Sequence, residues 1–252
     1  MRSSPGWRKL FRVLVFYVAL IAAWHLLALA TGWTGPGDVA VALWRTTRSG
    51  DLGRGLGATV LRMAVGYTLS IALGLSLGVF TGSVRWADET IGTLVLGLQS
   101  LPSVTWFPLA VLWFGANEGA VVFVVLMGSV WSIAVSARAG VQNIPPLQLR
   151  AARMFGGSVW QRYTLVVIPA MVPSIVQGLK LGWSFAWRSL LAAELLFGSA
   201  SLGNLLNAGR KANDTGLVMA VFVVIIIVGV AMDRLVFARM EGWVAERWGT
   251  AT

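Results

Sequence analysis

Four charged side chains stand inside long apolar runs of this chain: Arg62, Lys180, Arg188 and Glu194. Charge in such surroundings is costly, and it marks either a path for a charged solute or an ion pair between helices. Catalysis fits the remaining residues poorly. His25 is the sole histidine and has no carboxylate near it in sequence. The GSVWS and GWSF segments lack the Gly-x-Ser-Gly setting of an intramembrane serine protease. Cysteine is absent, so disulfides, thiolate metal sites and thiol redox chemistry are excluded, and the ligands for a metal-dependent enzyme are wanting. Gly-Lys occurs nowhere, so the Gly-x4-Gly-Lys-Ser/Thr loop that cradles nucleotide phosphates is missing.

The candidates for lining a path are Lys180, Ser184, Trp187, Arg188 and Glu194, all within one apolar stretch. Arg188 falls near its middle, where a side chain cannot easily reach water. Arg188 and Glu194 are six residues apart, about 120° around a helix, which makes a direct bond between them poor. Two readings of Arg188 stay open: it faces a central path and offers an anion a transient site, or it serves an interhelical ion pair. Lys180 is closer to the span end and can snorkel. Trp183, Trp187 and Ser184 either line the same path or pack against neighbours.

Positioning these residues is a task for membrane helices. Hydrophobic residues make up 57% of the 252 and charged ones 12%, with mean hydropathy +0.75; a soluble domain carries about a quarter charged residues. Six spans of the roughly 20 residues needed to cross a bilayer are expected at 10–30, 56–80, 91–114, 120–140, 175–197 and 217–237. The third is interrupted by Pro102 and Pro108, so a kink or break is expected there. Gly66, Ser70, Gly74 and Gly78 recur every four residues and mark a face of close helix packing. One transmembrane domain over residues 1–252 accounts for the whole chain.

Net charge is +10, yet the basic residues form no stripe of the kind that binds nucleic acid. They lie at span ends. With the N-terminus inside, cytoplasmic segments hold twelve Lys/Arg and the outer loops five (Arg45, Arg48, Arg54, Arg210 and Lys211). That asymmetry puts both termini and the segment 145–173 in the cytoplasm.

Segment 145–173 reads PPLQLRAARMFGGSVWQRYTLVVIPAMVP. LQLRAARMFG can form two to three helical turns, with Ala151 and Ala152 giving a small surface for close approach and Gly156 able to end it. Ile168-Pro169 is expected to open the next membrane helix. The spacing of Ala151, Ala152, Gly156, Val166, Ile168 and Pro169 resembles the cytoplasmic "EAA" loop of ABC importer permeases. From about Ala58 onward the chain is similar to the nitrate/sulfonate/taurine-type members, including SLPSVTWFPLAVLWFG and the MDRLVFARMEGWV tail. One position departs: Arg150 stands where the family has glutamate.

The resemblance implies an all-α type I ABC importer permease fold, with six transmembrane helices and a short cytoplasmic coupling helix. It implies a homodimer in the bacterial cytoplasmic membrane, a cytoplasmic ABC ATPase dimer that binds ATP and Mg, and an external solute-binding protein. The permease itself would carry no cofactor and no catalytic residue. Its coupling residues would be Arg150, Ala151, Ala152, Arg153, Phe155, Gly156 and Pro169, and its cargo a small anion of the sulfonate, taurine or nitrate kind. An ATP-independent secondary transporter or channel is the alternative. Such a protein normally shows more paired carboxylates within its spans, or inverted halves.

Overall fold

A computed structural model describes residues 6–154, 158–197 and 199–248. The described residues form helices and connecting turns, with no strand among them. In chain order these are α1 (Gly6–Thr31), α2 (Pro36–Arg48), α3 (Asp51–Ser83), α4 (Arg85–Gln99), α5 (Ser103–Phe114) and α6 (Glu118–Gln142). They continue as α7 (Pro146–Met154), α8 (Trp160–Leu196), α9 (Leu202–Lys211) and α10 (Thr215–Trp248).

Helix α6 is central because it is apolar nearly all round, which a helix can be only when neighbours cover it. It packs against α3 on one side and α8 on the other. Glycines set both contacts. A Cβ on Gly66 would lie 2.7 Å from Val125 Cγ1, and one on Gly74 2.8 Å from the Cβ of Ile133. Further along, Gly82 meets Val141, so α3 and α6 run parallel. Gly178 and Gly182 of α8 bring that helix onto Ser136 and Ile133, antiparallel to α6. Between helices in lipid such close backbone approach replaces the missing hydrophobic drive.

Five helices are long and apolar enough to cross a membrane, and the bent pair α4–α5 makes a sixth if counted as one span. The break expected within the third span is present: its two halves meet at 96°. Pro102 sits at the break and has no N–H to continue a helix. Pro108 causes no second break, because it lies in the first turn of Trp106–Phe114, where no intrahelical N–H partner is required.

The expected loop 145–173 is corrected. Helix is already established at Trp160, well before Ile168-Pro169. A π-turn at Tyr163–Val167 precedes Pro169 and keeps the chain helical through Pro169 and Pro173. Similarly α10 runs past residue 237 through a π-turn at Asp233–Phe237 to Trp248. Two short helices, α2 and α9, cover one end of the bundle; α7 lies at the other.

Candidate functional site

At the end covered by α2 and α9, Arg62 of α3 is enclosed by acceptors. Its Nη1 donates to Glu194 Oε1 at 2.9 Å, and its Nη2 to Glu118 Oε1 at 2.8 Å and Ser199 Oγ at 2.7 Å. Thr59 Oγ1 donates to the Glu194 carboxylate and accepts from the Leu202 N–H at 3.0 Å. The Gly203 N–H donates to Glu194 Oε2 at 3.2 Å. Arg62 is 7% exposed and Glu194 1%. A buried ion pair is tolerable only when hydrogen bonds satisfy its remaining oxygens and protons, as they do here. The cluster braces α3, α6, α8 and α9. Glu194, expected to line a path, is therefore removed from that set: its carboxylate is held by Arg62, Thr59 and Gly203.

Lys180, Trp183, Ser184, Trp187 and Arg188 form a different arrangement. Their spacing of three and four residues gives one stripe on α8. Opposite them on α10 stand Gly229, Asp233 and Phe237, and the two helices flank a half-open cavity of about 310 Å³. Trp183 and Trp187 stack with ring centroids 6.1 Å apart and planes 8° off parallel. Lys180 Nζ donates to Glu241 Oε1 at 3.0 Å and reaches Asp233 Oδ1 at 3.1 Å. Lys180 is half-buried, and its amine is held by carboxylates from the last part of α10.

Arg188 has no carboxylate partner among the described residues. Its Nε donates to the Ser184 carbonyl at 3.0 Å, and its guanidinium carbon lies 5.0 Å from the Phe185 ring centroid. The side chain is exposed. It also borders a second cavity, of about 420 Å³, whose wall includes the α4–α5 break from Gln99 to Val104 together with Ser132. A guanidinium so placed can bind an anion through its N–H donors.

At the opposite end, Ala151 and Ala152 of α7 are half-buried against a cavity of about 590 Å³ shared with Pro169 and Trp248. Trp248 Nε1 donates to the Pro169 carbonyl at 3.1 Å, tying the end of α10 to the start of α8. Arg150 is exposed between Leu147 (76% exposed) and Met154 (86%). Phe155 and Gly156 lie outside the described residues, as does the Arg153 side chain.

Residues 70–241 match the family of binding-protein-dependent transport system inner membrane components. The chain belongs to this family. The permease is 28% identical to an Escherichia coli protein named for aliphatic sulfonates transport, over 99% of this chain and 97% of that one. It is 26% identical to a nitrate import permease of Synechocystis over 90% of this chain and 87% of that one. A methionine ABC transporter solved in inward-facing conformations shares the fold, with TM-score 0.64, 19% identity and coverage of 77% and 96%. The permease is thus a transmembrane subunit of an ABC importer, multi-pass and not catalytic by itself. Family membership implies a separate ATPase and a solute-binding protein as partners.

The Arg62 cluster was not recognised from sequence, although Arg62 itself was visible as an intramembrane charge. Glu118, Thr59 and Ser199 lie far from one another in the chain, and no motif joins them to Arg62. Gly229, which faces open space where a side chain would stand, gave no signal.

Proposed function

We propose that the permease carries a small anion of the sulfonate, taurine or nitrate kind through a path bordered by Lys180, Ser184, Trp187 and Arg188. The observation that carries this reading is Arg188: a guanidinium within a membrane-spanning helix, open to two cavities and without a carboxylate partner among the described residues. The names of its relatives support the same class of cargo. A second copy of the chain closes the path, and a single transmembrane domain, residues 1–252, supplies each half. The excess of Lys/Arg on the α7 side supports cytoplasmic termini in a bacterial inner membrane.

On this reading α7 is the coupling helix, with Arg150, Ala151, Ala152, Arg153, Phe155, Gly156 and Pro169 as its contact region for a cytoplasmic ABC ATPase dimer. ATP and Mg bind that partner, whose closure drives the path between inward- and outward-facing states. The Arg150 guanidinium requires an acidic group on the ATPase. Arg150→Glu should therefore weaken complex assembly and ATPase stimulation, and unchanged values of both would remove the charge-matching idea. For transport itself, Arg188→Ala should suppress ATP-dependent uptake of alkanesulfonate or nitrate in cells carrying the complete importer. Normal uptake with alanine at this position would eliminate the anion role.

A further inference from the structure

We propose that the cavity between α8 and α10 is a subsite for the apolar body of an organic anion, whose charged headgroup rests on Arg188 at the rim. This rests on the reading that Arg188 faces the path, and it narrows the cargo from any small anion to an organic one. Three observations carry it.

The first is the wall. Trp183 and Trp187 present a stacked indole pair, Phe237 closes against Trp183 at 6.4 Å between centroids, and Gly229 leaves space where a Cβ would meet nothing within 4 Å. A cavity of about 310 Å³ lined this way suits a short carbon chain or a small ring. The second is the guanidinium. The bond from its Nε to the Ser184 carbonyl and the Phe185 ring beneath hold its plane. The terminal nitrogens then offer a fork to a headgroup with two or more oxygens.

The third observation sets the direction. Lys180 meets two carboxylates, Asp233 and Glu241, so this trio carries one excess negative charge. Asp233 lines the same cavity, and Lys180 lies eight residues from Arg188, about 12 Å along α8. An anion's charge is repelled from the Asp233 end and held at Arg188. Only its uncharged part gains by entering between the aromatic rings. A bare inorganic anion uses Arg188 alone and gains nothing from the walls.

The test is equilibrium binding of butanesulfonate and of nitrate to the complete permease–ATPase complex in nanodiscs. In the parent complex butanesulfonate should bind at least about tenfold tighter than nitrate, the scale of a filled apolar pocket. Gly229→Leu, which fills open space and leaves the fold intact, should weaken butanesulfonate about tenfold and leave nitrate within about twofold. Trp183→Phe should weaken butanesulfonate in the same sense but less. Equal affinities in the parent, or equal losses of both ligands on Gly229→Leu, or no loss at all, would overturn the subsite while a response to Arg188→Gln preserved the anion path. If Arg188→Gln leaves both affinities unchanged, the path reading falls with it.

Discussion

Arg62 and Arg188 are the same residue type, each well inside an apolar helix, and they stand in opposite conditions. Arg62 is 7% exposed and meets two carboxylates, a hydroxyl and a backbone carbonyl. Arg188 is exposed, with a single backbone acceptor on its Nε and an aromatic ring beneath. The difference separates a charge that holds helices together from a charge kept available. An intramembrane arginine is costly in either case, so its presence alone does not say which. Its partners do.

The sharpest way to break this comparison is to remove each guanidinium in turn. Arg62→Met leaves Glu194 buried without its cation and should destabilise the permease by about 3–5 kcal/mol. Arg188→Met should change stability by no more than about 0.5 kcal/mol while abolishing anion uptake. Unfolding of the solubilised protein, followed alongside transport, separates the two. Equal stability losses would mean that Arg188 is also a brace. Replacing both members of the first pair, Arg62→Met with Glu194→Leu, should recover much of the loss because no unpaired charge then remains.

A smaller effect tests how Arg62 is brought to its partners. Helix α3 reaches α6 through glycines, and a Cβ at Gly74 would stand 2.8 Å from that of Ile133. Gly74→Val should push the helices apart at a cost of about 1–3 kcal/mol. Arg62 would loosen from Glu118, whereas Arg188 on α8 should keep its anion affinity. Gly57→Val, where a Cβ meets nothing within 4 Å, is the control. If both variants unfold alike, the close approach at Gly74 is not what positions α3.

Much of this arrangement was legible in the sequence, for local reasons. Apolar runs located the membrane helices, the four-residue repeat of small side chains marked the α3 face that meets α6, and Pro102 foretold the break between α4 and α5. The alanine, glycine and proline spacing after Pro146 pointed to the family. What could not be read was long-range pairing. Arg62 and Glu194 are 132 residues apart, and nothing near either names the other. Lys180 finds Glu241 across 61 residues. Helix α8 begins before the expected opening at Ile168-Pro169, because a π-turn at Tyr163–Val167 joins it to the helical turn that precedes it. Glu194 looked like Arg188 in sequence, as a charge in an apolar span, and only the fold assigns them to different neighbours.

The smallest expected effect lies outside the spans, where water replaces lipid. Arg45 of α2 and Asp214 form an ion pair with side chains 60% and 30% exposed. Asp214 also caps α10, its Oδ1 accepting the Leu217 N–H at 2.9 Å. That N–H first, and the Arg45 guanidinium second, hold the Asp214 carboxyl below its ordinary range. A carboxylate whose folded pKa is depressed contributes stability that is present above the unfolded pKa and lost as pH falls through the folded value. The loss is therefore expected on the acid side of the ordinary carboxylate range, and not near neutrality. Asp214→Asn keeps a good capping acceptor and removes the titration, so it should cost only a few tenths of a kcal/mol near pH 7 and flatten the acid slope, whereas Asp214→Ala should cost about 1 kcal/mol. Unfolding midpoints between about pH 3 and 7 check this, and an unchanged acid slope in the asparagine variant would assign it to another group. Arg62→Met, by contrast, should be destabilised near neutrality, where the Asp214 pair is intact.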